Sequence, residues 1–190
     1  MTGTKSIRKK LVFILVGPKG SGKTHIGSLL EKETGLKFLS VEKLGLENIP
    51  KSKLTGYELE KEGFHHEERA IDRILTEEDA MSFEATGSSE YFLTVLDRLR
   101  VKYEVKLVKV FSPLPTCYHR IKQRGTANHI PVSEERIKTI NEKAAKVELN
   151  WALTIDNSTQ PGNEQILRVW KTAFSQQVNI LQAIRFRERQ

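Results

Sequence analysis

Six consecutive apolar residues, Leu11 to Val16, run without interruption into Gly17-Pro18-Lys19-Gly20-Ser21-Gly22-Lys23-Thr24, and few folds accommodate that junction. The apolar run reads as a strand buried on both faces, while Ile26, Leu29 and Leu30 recur at helical spacing just beyond. Strand, glycine-rich turn and helix in that order fit the spacing G-x-x-x-x-G-K-[ST], the phosphate-binding loop. Such a loop cradles phosphate oxygens because successive backbone N–H groups turn inward, aided by the positive end of the following helix. Residues Gly17, Pro18, Lys19, Gly20, Ser21, Gly22, Lys23, Thr24 and His25 are therefore expected to hold a nucleotide. Lys23 would reach its β and γ phosphates, and the Thr24 hydroxyl would ligate Mg2+.

The rest of the chain alternates strand and helix patterns. Strands are expected at 11–16, 36–41, 80–85, 105–111 and 149–155, and helices at 23–33, 57–75, 91–100, 116–124, 133–147 and 163–187. Residues 44–56, with Pro50 and two glycines, read as a loop. Ser133 followed by Glu134 and Glu135 has the form of a helix start. Strands alternating with helices imply an α/β fold with a parallel, doubly wound sheet, whose ligands sit at the carboxyl ends of the strands. The expectation is a single P-loop NTPase domain spanning 1–190, in three layers, with a five-stranded parallel sheet flanked by helices. It would carry a basic arm over 1–9, an acceptor-binding region over about 43–75 and a short lid over about 120–136.

Composition narrows the partners. A net charge of +7 admits nucleic acid, but the basic residues are dispersed and lack the aromatic interleaving that stacks single-stranded bases. No apolar run approaches the roughly 18 residues of a membrane span, and no cleavable leader pattern precedes the first strand, so a cytoplasmic protein with no membrane partner is expected. One cysteine, Cys117, excludes an intrachain disulfide. The pattern is silent between a monomer and a homodimer.

With these elements in place, Gly17 to Gly27 followed by Phe38-Leu39-Ser40-Val41-Glu42 resembles the opening of shikimate kinase and of the related gluconate and nucleoside monophosphate kinases. The resemblance implies ATP as phosphate donor, Mg2+, and a small-molecule acceptor. Of the two acidic positions that group carries after strand two, Glu42 keeps a carboxylate and Ser40 does not. Glu42 would orient an acceptor hydroxyl or approach the metal; the alternative is a solvent-facing glutamate. Glu84, near the end of strand three, stands where a carboxylate holds the metal shell, or else forms a structural pair. Gly87 and Ser88 occupy the glycine-rich acceptor turn, with serines replacing later glycines, and His65 stands where shikimate kinase has an arginine. The adjacent His65 and His66 read as an exposed helical pair in preference to a metal site.

Within the lid-like stretch, the resemblance gives Arg120 to the base, Arg124 to the transferring phosphate and Arg136 to the acceptor region, against the alternative of a solvated basic face. Asn157 would lie beside the adenine. Lys23, Glu42 and Arg124 are the expected catalytic residues. Residues 129–135 also resemble kinases acting on nucleic-acid ends. Two rival functions therefore stay open: a kinase or ATPase for such ends, and a nucleotide-binding regulatory module without catalysis.

Overall fold

The computed structural model describes residues 9–48, 56–124, 132–175 and 177. In chain order the elements are β1 (Leu11–Val16), α1 (Lys23–Thr34), β2 (Lys37–Leu39), α2 (Val41–Asn48), α3 (Gly56–Glu77), β3 (Ala80–Ala85), α4 (Glu90–Lys102), β4 (Glu104–Phe111), α5 (Leu114–Gln123), α6 (Glu134–Ala145), β5 (Leu153–Asp156) and α7 (Asn163–Ala173). The five strands form one sheet in the order β2-β3-β1-β4-β5, and every pairing is parallel.

β1 lies at the centre because it is the strand with no polar residue: all six of its side chains are buried, as a parallel strand covered on both faces requires. Alternation along it divides the core in two. Leu11, Phe13 and Leu15 pack with Ile26, Leu29 and Leu30 of α1 and Ile166 and Trp170 of α7. Val12, Ile14 and Val16 face the other way, onto Ile71 and Leu75 of α3 and Phe92, Val95, Leu96 and Leu99 of α4. The result is the expected three-layer α/β fold of P-loop NTPases. Because β1 has β3 on one side and β4 on the other, its carboxyl end is a topological switch point, where open sheets of this class leave a crevice.

On the first face, Phe13, Trp170 and Phe174 form a closed triangle with ring centroids 4.7 to 4.9 Å apart. Trp170→Ala removes the largest fully buried side chain and is expected to cost about 3–5 kcal/mol, read as a lower urea midpoint at unchanged slope.

Element types agree with the sequence reading, with local differences. Residues 44–48 belong to helix α2 and not to a loop: one helical turn places Leu44 N–H on the Ser40 carbonyl, and the helix continues from there. β5 begins at Leu153, four residues later than expected. β2 is only three residues long, ending before Ser40 because Val41 already starts α2. Ser133 caps α6 as expected, its hydroxyl accepting from the Arg136 N–H at 3.3 Å. The arm over 1–8, the lid centre at 125–131 and the far end of the expected C-terminal helix lie outside the described residues. Among the described residues no helix is long and apolar enough to cross a membrane.

Candidate functional site

The loop after β1 is shaped by its neighbours. Gly20 has φ +86° and Gly22 φ +99°, backbone angles that a Cβ makes costly. At both positions the space for a Cβ is already filled, by the Cys117 carbonyl of α5 at Gly20 and by the Asn157 amide beyond β5 at Gly22. Side chains from distant elements then fasten the loop. Asn157 Nδ2 donates to the Ser21 carbonyl at 2.7 Å. Asn141 of α6 takes Lys19 by both backbone groups, accepting from its N–H at 2.8 Å and donating to its carbonyl at 3.0 Å.

Asn141 is fully buried, and an aliphatic replacement would leave the two Lys19 backbone groups without their partner. Asn141→Leu is expected to cost about 2–4 kcal/mol, because a buried polar group left unpaired costs its full desolvation. Chemical denaturation would measure that loss, and titration with an ATP analogue would report the accompanying loosening of the loop.

Lys23, at the start of α1, is 7% exposed. Its ammonium donates to the carbonyls of Gly17 and Pro18, both at 2.8 Å. Burial lowers its pKa to about 8, opposed by Glu84 and reinforced by Lys19. Next to it, the Thr24 hydroxyl donates to Glu84 Oε2 at 2.7 Å, and the Ser40 hydroxyl lies 3.5 Å from the other oxygen of the same carboxylate. Glu84 reaches this point because it pairs in register with Leu15, two residues before the loop. Glu42 is 4.0 Å from Lys19 Nζ.

These groups open onto a cavity of about 440 Å³, with Lys19, Lys23, Thr24, His25, Arg120 and Arg124 at one end. The other end is built by Val41 and Glu42 of α2 and by Glu60, Phe64 and Glu67 of α3. A neighbouring cavity of about 280 Å³ shares Val41, Glu60, Phe64 and Glu67 and adds Arg136. Arg120 is built into the frame of the site: its guanidinium donates to the Asn157 carbonyl at 2.8 Å and to the Ser112 hydroxyl at 3.3 Å. His25 lies at the rim, 3.1 Å from Asn163 Oδ1.

The structure thus gathers the loop, Glu42, Glu84, Gly87, Arg120 and Arg124 around one cavity, with Asn157 beneath it. Three expected acceptor residues lie elsewhere. His65 faces away, against Glu68 at 3.6 Å and the Tyr91 ring, because on a helix Phe64 and Glu67 share one face while His65 and Glu68 share the next. Glu68 in turn is held by Arg98 through two hydrogen bonds of 2.8 Å. The Ser88 hydroxyl turns back onto Thr86 Oγ1 at 2.9 Å. Arg136 lines the neighbouring cavity and not the phosphate end.

Three contributors escaped the sequence reading. Glu60 and Glu67 have a visible signal, since Glu60, Phe64, Glu67 and Ile71 follow helical spacing and Glu67 interrupts an apolar stripe. Burial, reinforced by Glu68, Glu84 and Glu60, pushes the Glu67 carboxyl up to about 8. Asn141 has no comparable signal, because its partner is backbone 122 residues away.

A family model described as an AAA domain matches residues 12–147. Among curated proteins no sequence match is found. Among solved structures, a sugar kinase from Janibacter sp. HTCC2649 superposes with a TM-score of 0.64 at 18% identity, covering 87% of this chain and 95% of that one. Shikimate kinase from Aquifex aeolicus gives 0.59 at 16% identity, covering 86% and 96%. A chain of the Pnkp1/Rnl/Hen1 RNA repair complex gives 0.56 at 17% identity, covering 76% of this chain and 47% of that one. At these identities the likeness is one of fold, and it falls in the group of small P-loop kinases that the sequence resembles.

Proposed function

The chain belongs to the AAA-domain family, and from that premise we propose that it is an ATP- and Mg2+-dependent kinase of a small-molecule acceptor. The observation that carries this reading is the cavity that joins the Lys23 and Thr24–Glu84 cluster to a separate wall from α2 and α3. One end suits a phosphate donor and the other a second reactant. The hydroxyl of Thr24 and the carboxylate of Glu84 are hard oxygen donors of the kind Mg2+ prefers, alongside water and phosphate oxygens, and would hold it. Bound there, the ion supplies charge neutralisation at the β and γ oxygens.

The loop N–H groups and Lys23 bind and orient the triphosphate, and Arg124 adds positive charge at the cavity edge where the γ-phosphoryl passes. Glu42 receives the proton of the acceptor hydroxyl. The acceptor oxygen forms its bond to γ-phosphorus as the bond to the bridging oxygen breaks, and ADP leaves. Arg120 and Asn157 hold the frame beside the base. Phosphoryl transfer asks little more of a protein than this positioning and charge.

The test is calorimetric titration with ATP and Mg2+, followed by an assay for ADP across a panel of sugars, acidic metabolites, amines and nucleosides. Binding with acceptor-dependent ADP supports the kinase. Binding without turnover on any acceptor supports the regulatory module instead, a reading favoured by the absence of His65 and Ser88 from the cavity lining. A second acceptor class, nucleic-acid ends, is favoured by the charge of +7 and by the likeness to a chain of an RNA repair complex. Steeply salt-dependent oligonucleotide binding with ADP formation would select it.

A further inference from the structure

The two ends of the main cavity carry opposite charge. Lys19, Lys23, Arg120 and Arg124 surround the phosphate end, whereas the α2 and α3 wall contributes Glu42, Glu60 and Glu67 and neither lysine nor arginine. Glu42, where the wall meets the phosphate end, lies near Lys19, and Glu84 is held by two hydroxyls. Glu67 and Glu60 differ, since no ion pair or hydrogen bond from another described residue reaches either. Between them on the helix stands Phe64, whose ring lines the same cavity. In the neighbouring cavity, Glu60, Glu62 and Glu67 face a single arginine, the exposed Arg136.

With no cation beside it, the Glu67 carboxyl keeps its proton to about pH 8; an organic cation seated against it and the Phe64 ring draws that proton off to solvent, whereas a carboxylate or phosphate gains nothing there. A metal ion is the other cation such a wall could suit. Among the described residues, however, no three His, Cys, Asp or Glu side chains are grouped so as to hold one.

Resting on the kinase reading above, we propose that the acceptor is a hydroxylated organic amine bound as its cation. Its ammonium lies against Glu60, Glu67 and the Phe64 ring, and its hydroxyl points to Glu42 and the phosphate loop. The acidic wall selects against acidic metabolites, which cannot pair with it, and leaves neutral polyols as weak ligands. Glu67, which with Glu60 lines both cavities and has Phe64 one helical turn before it, is then the specificity determinant.

The experiment uses the full chain with Mg2+ and a nonhydrolysable ATP analogue, and titrates glucose beside two relatives that each differ from it in one group, glucosamine and glucuronate. Nucleotide binding is recorded first. The expected order is glucosamine tighter than glucose by roughly tenfold and glucuronate weakest, as a charge-assisted contact adds to an otherwise equal ligand. Glu67→Gln keeps the shape but cannot give up a proton to pair with the ammonium, and is expected to bring glucosamine to within about threefold of glucose while leaving the analogue's affinity unchanged. Preference for glucuronate, equal or undetectable binding of all three, or an order untouched by Glu67→Gln overturns the proposal. A chain that binds no nucleotide overturns the kinase reading itself, an outcome recorded separately in the first titration.

Discussion

Lys23→Ala is expected to lower kcat for phosphoryl transfer by about 100- to 1000-fold, the loss typical when one preorganised charge is removed from a developing anion. The geometry makes Lys23 hard to replace. Its ammonium is fixed by the carbonyls of Gly17 and Pro18, so its position is set by the loop and not by a flexible stem. Lys23→Arg is expected to fail as well, because a planar guanidinium does not fit between two carbonyls sized for an ammonium. Folding should survive. Burial already holds the Lys23 pKa down at about 8, so its charged form is disfavoured in the native state, and alanine removes a desolvated cation. Steady-state rates and circular dichroism on the same preparations separate the two effects; an alanine variant with wild-type turnover would dismiss Lys23 as the catalytic cation.

The second large effect concerns stability and its dependence on pH. Glu67 is pushed from 4.5 to about 8, first by burial and then by Glu68, Glu84 and Glu60. A carboxyl whose folded pKa exceeds its unfolded value favours folding least where the unfolded chain has already lost the proton. Below about pH 4.5 the group is protonated in both states and contributes nothing to the balance. As pH rises from there toward 8, the unfolded state is progressively favoured. Above about 8 the penalty is complete, on the order of a few kcal/mol. The charges acting on Glu67 are those of Glu68 and Glu60 on its own helix and Glu84 of β3; Lys23 and Glu42 line the same cavity, and His66 and Arg136 the neighbouring one.

Glu67→Gln removes that window. Its stability should match wild type near pH 5 and exceed it by a few kcal/mol near pH 8. Urea unfolding at the two pH values measures this directly, and a gap that does not widen with pH would show that Glu67 is not held neutral in the fold.

How far the sequence could be read depended on how local each determinant is. β1 and the loop after it were legible because an uninterrupted apolar run and three glycines act over fourteen residues. β3 matched its expected limits of 80 and 85, since Met81 and Phe83 mark a strand and Thr86-Gly87-Ser88-Ser89 closes it. α2 was obscured by Gly45 and by the Pro50 that follows, which read together as loop chemistry. The candidate site divided in the same way. Lys23, Thr24 and Glu84 came together as expected, since the loop and strand register place them. His65 did not reach the cavity, because a neighbour in sequence points about 100° away on a helix. Asn141 was invisible, because side chain to backbone recognition across the molecule leaves no periodic trace.

The fastenings of the loop also bear on how the protein acquires its activity. Gly20 is met by Arg120 across 100 residues, Lys19 by Asn141 across 122 and Ser21 by Asn157 across 136. Closing such long spans comes late, since their entropy is spent before the contacts repay it. The phosphate cradle, though written within the first 24 residues, is therefore completed only when the chain beyond β5 has docked. A nascent or truncated chain ending before Asn157 would carry the whole motif and still bind nucleotide poorly. On the kinase reading, ATP binding would thus report on maturation of the entire fold, separating finished molecules from unfinished ones.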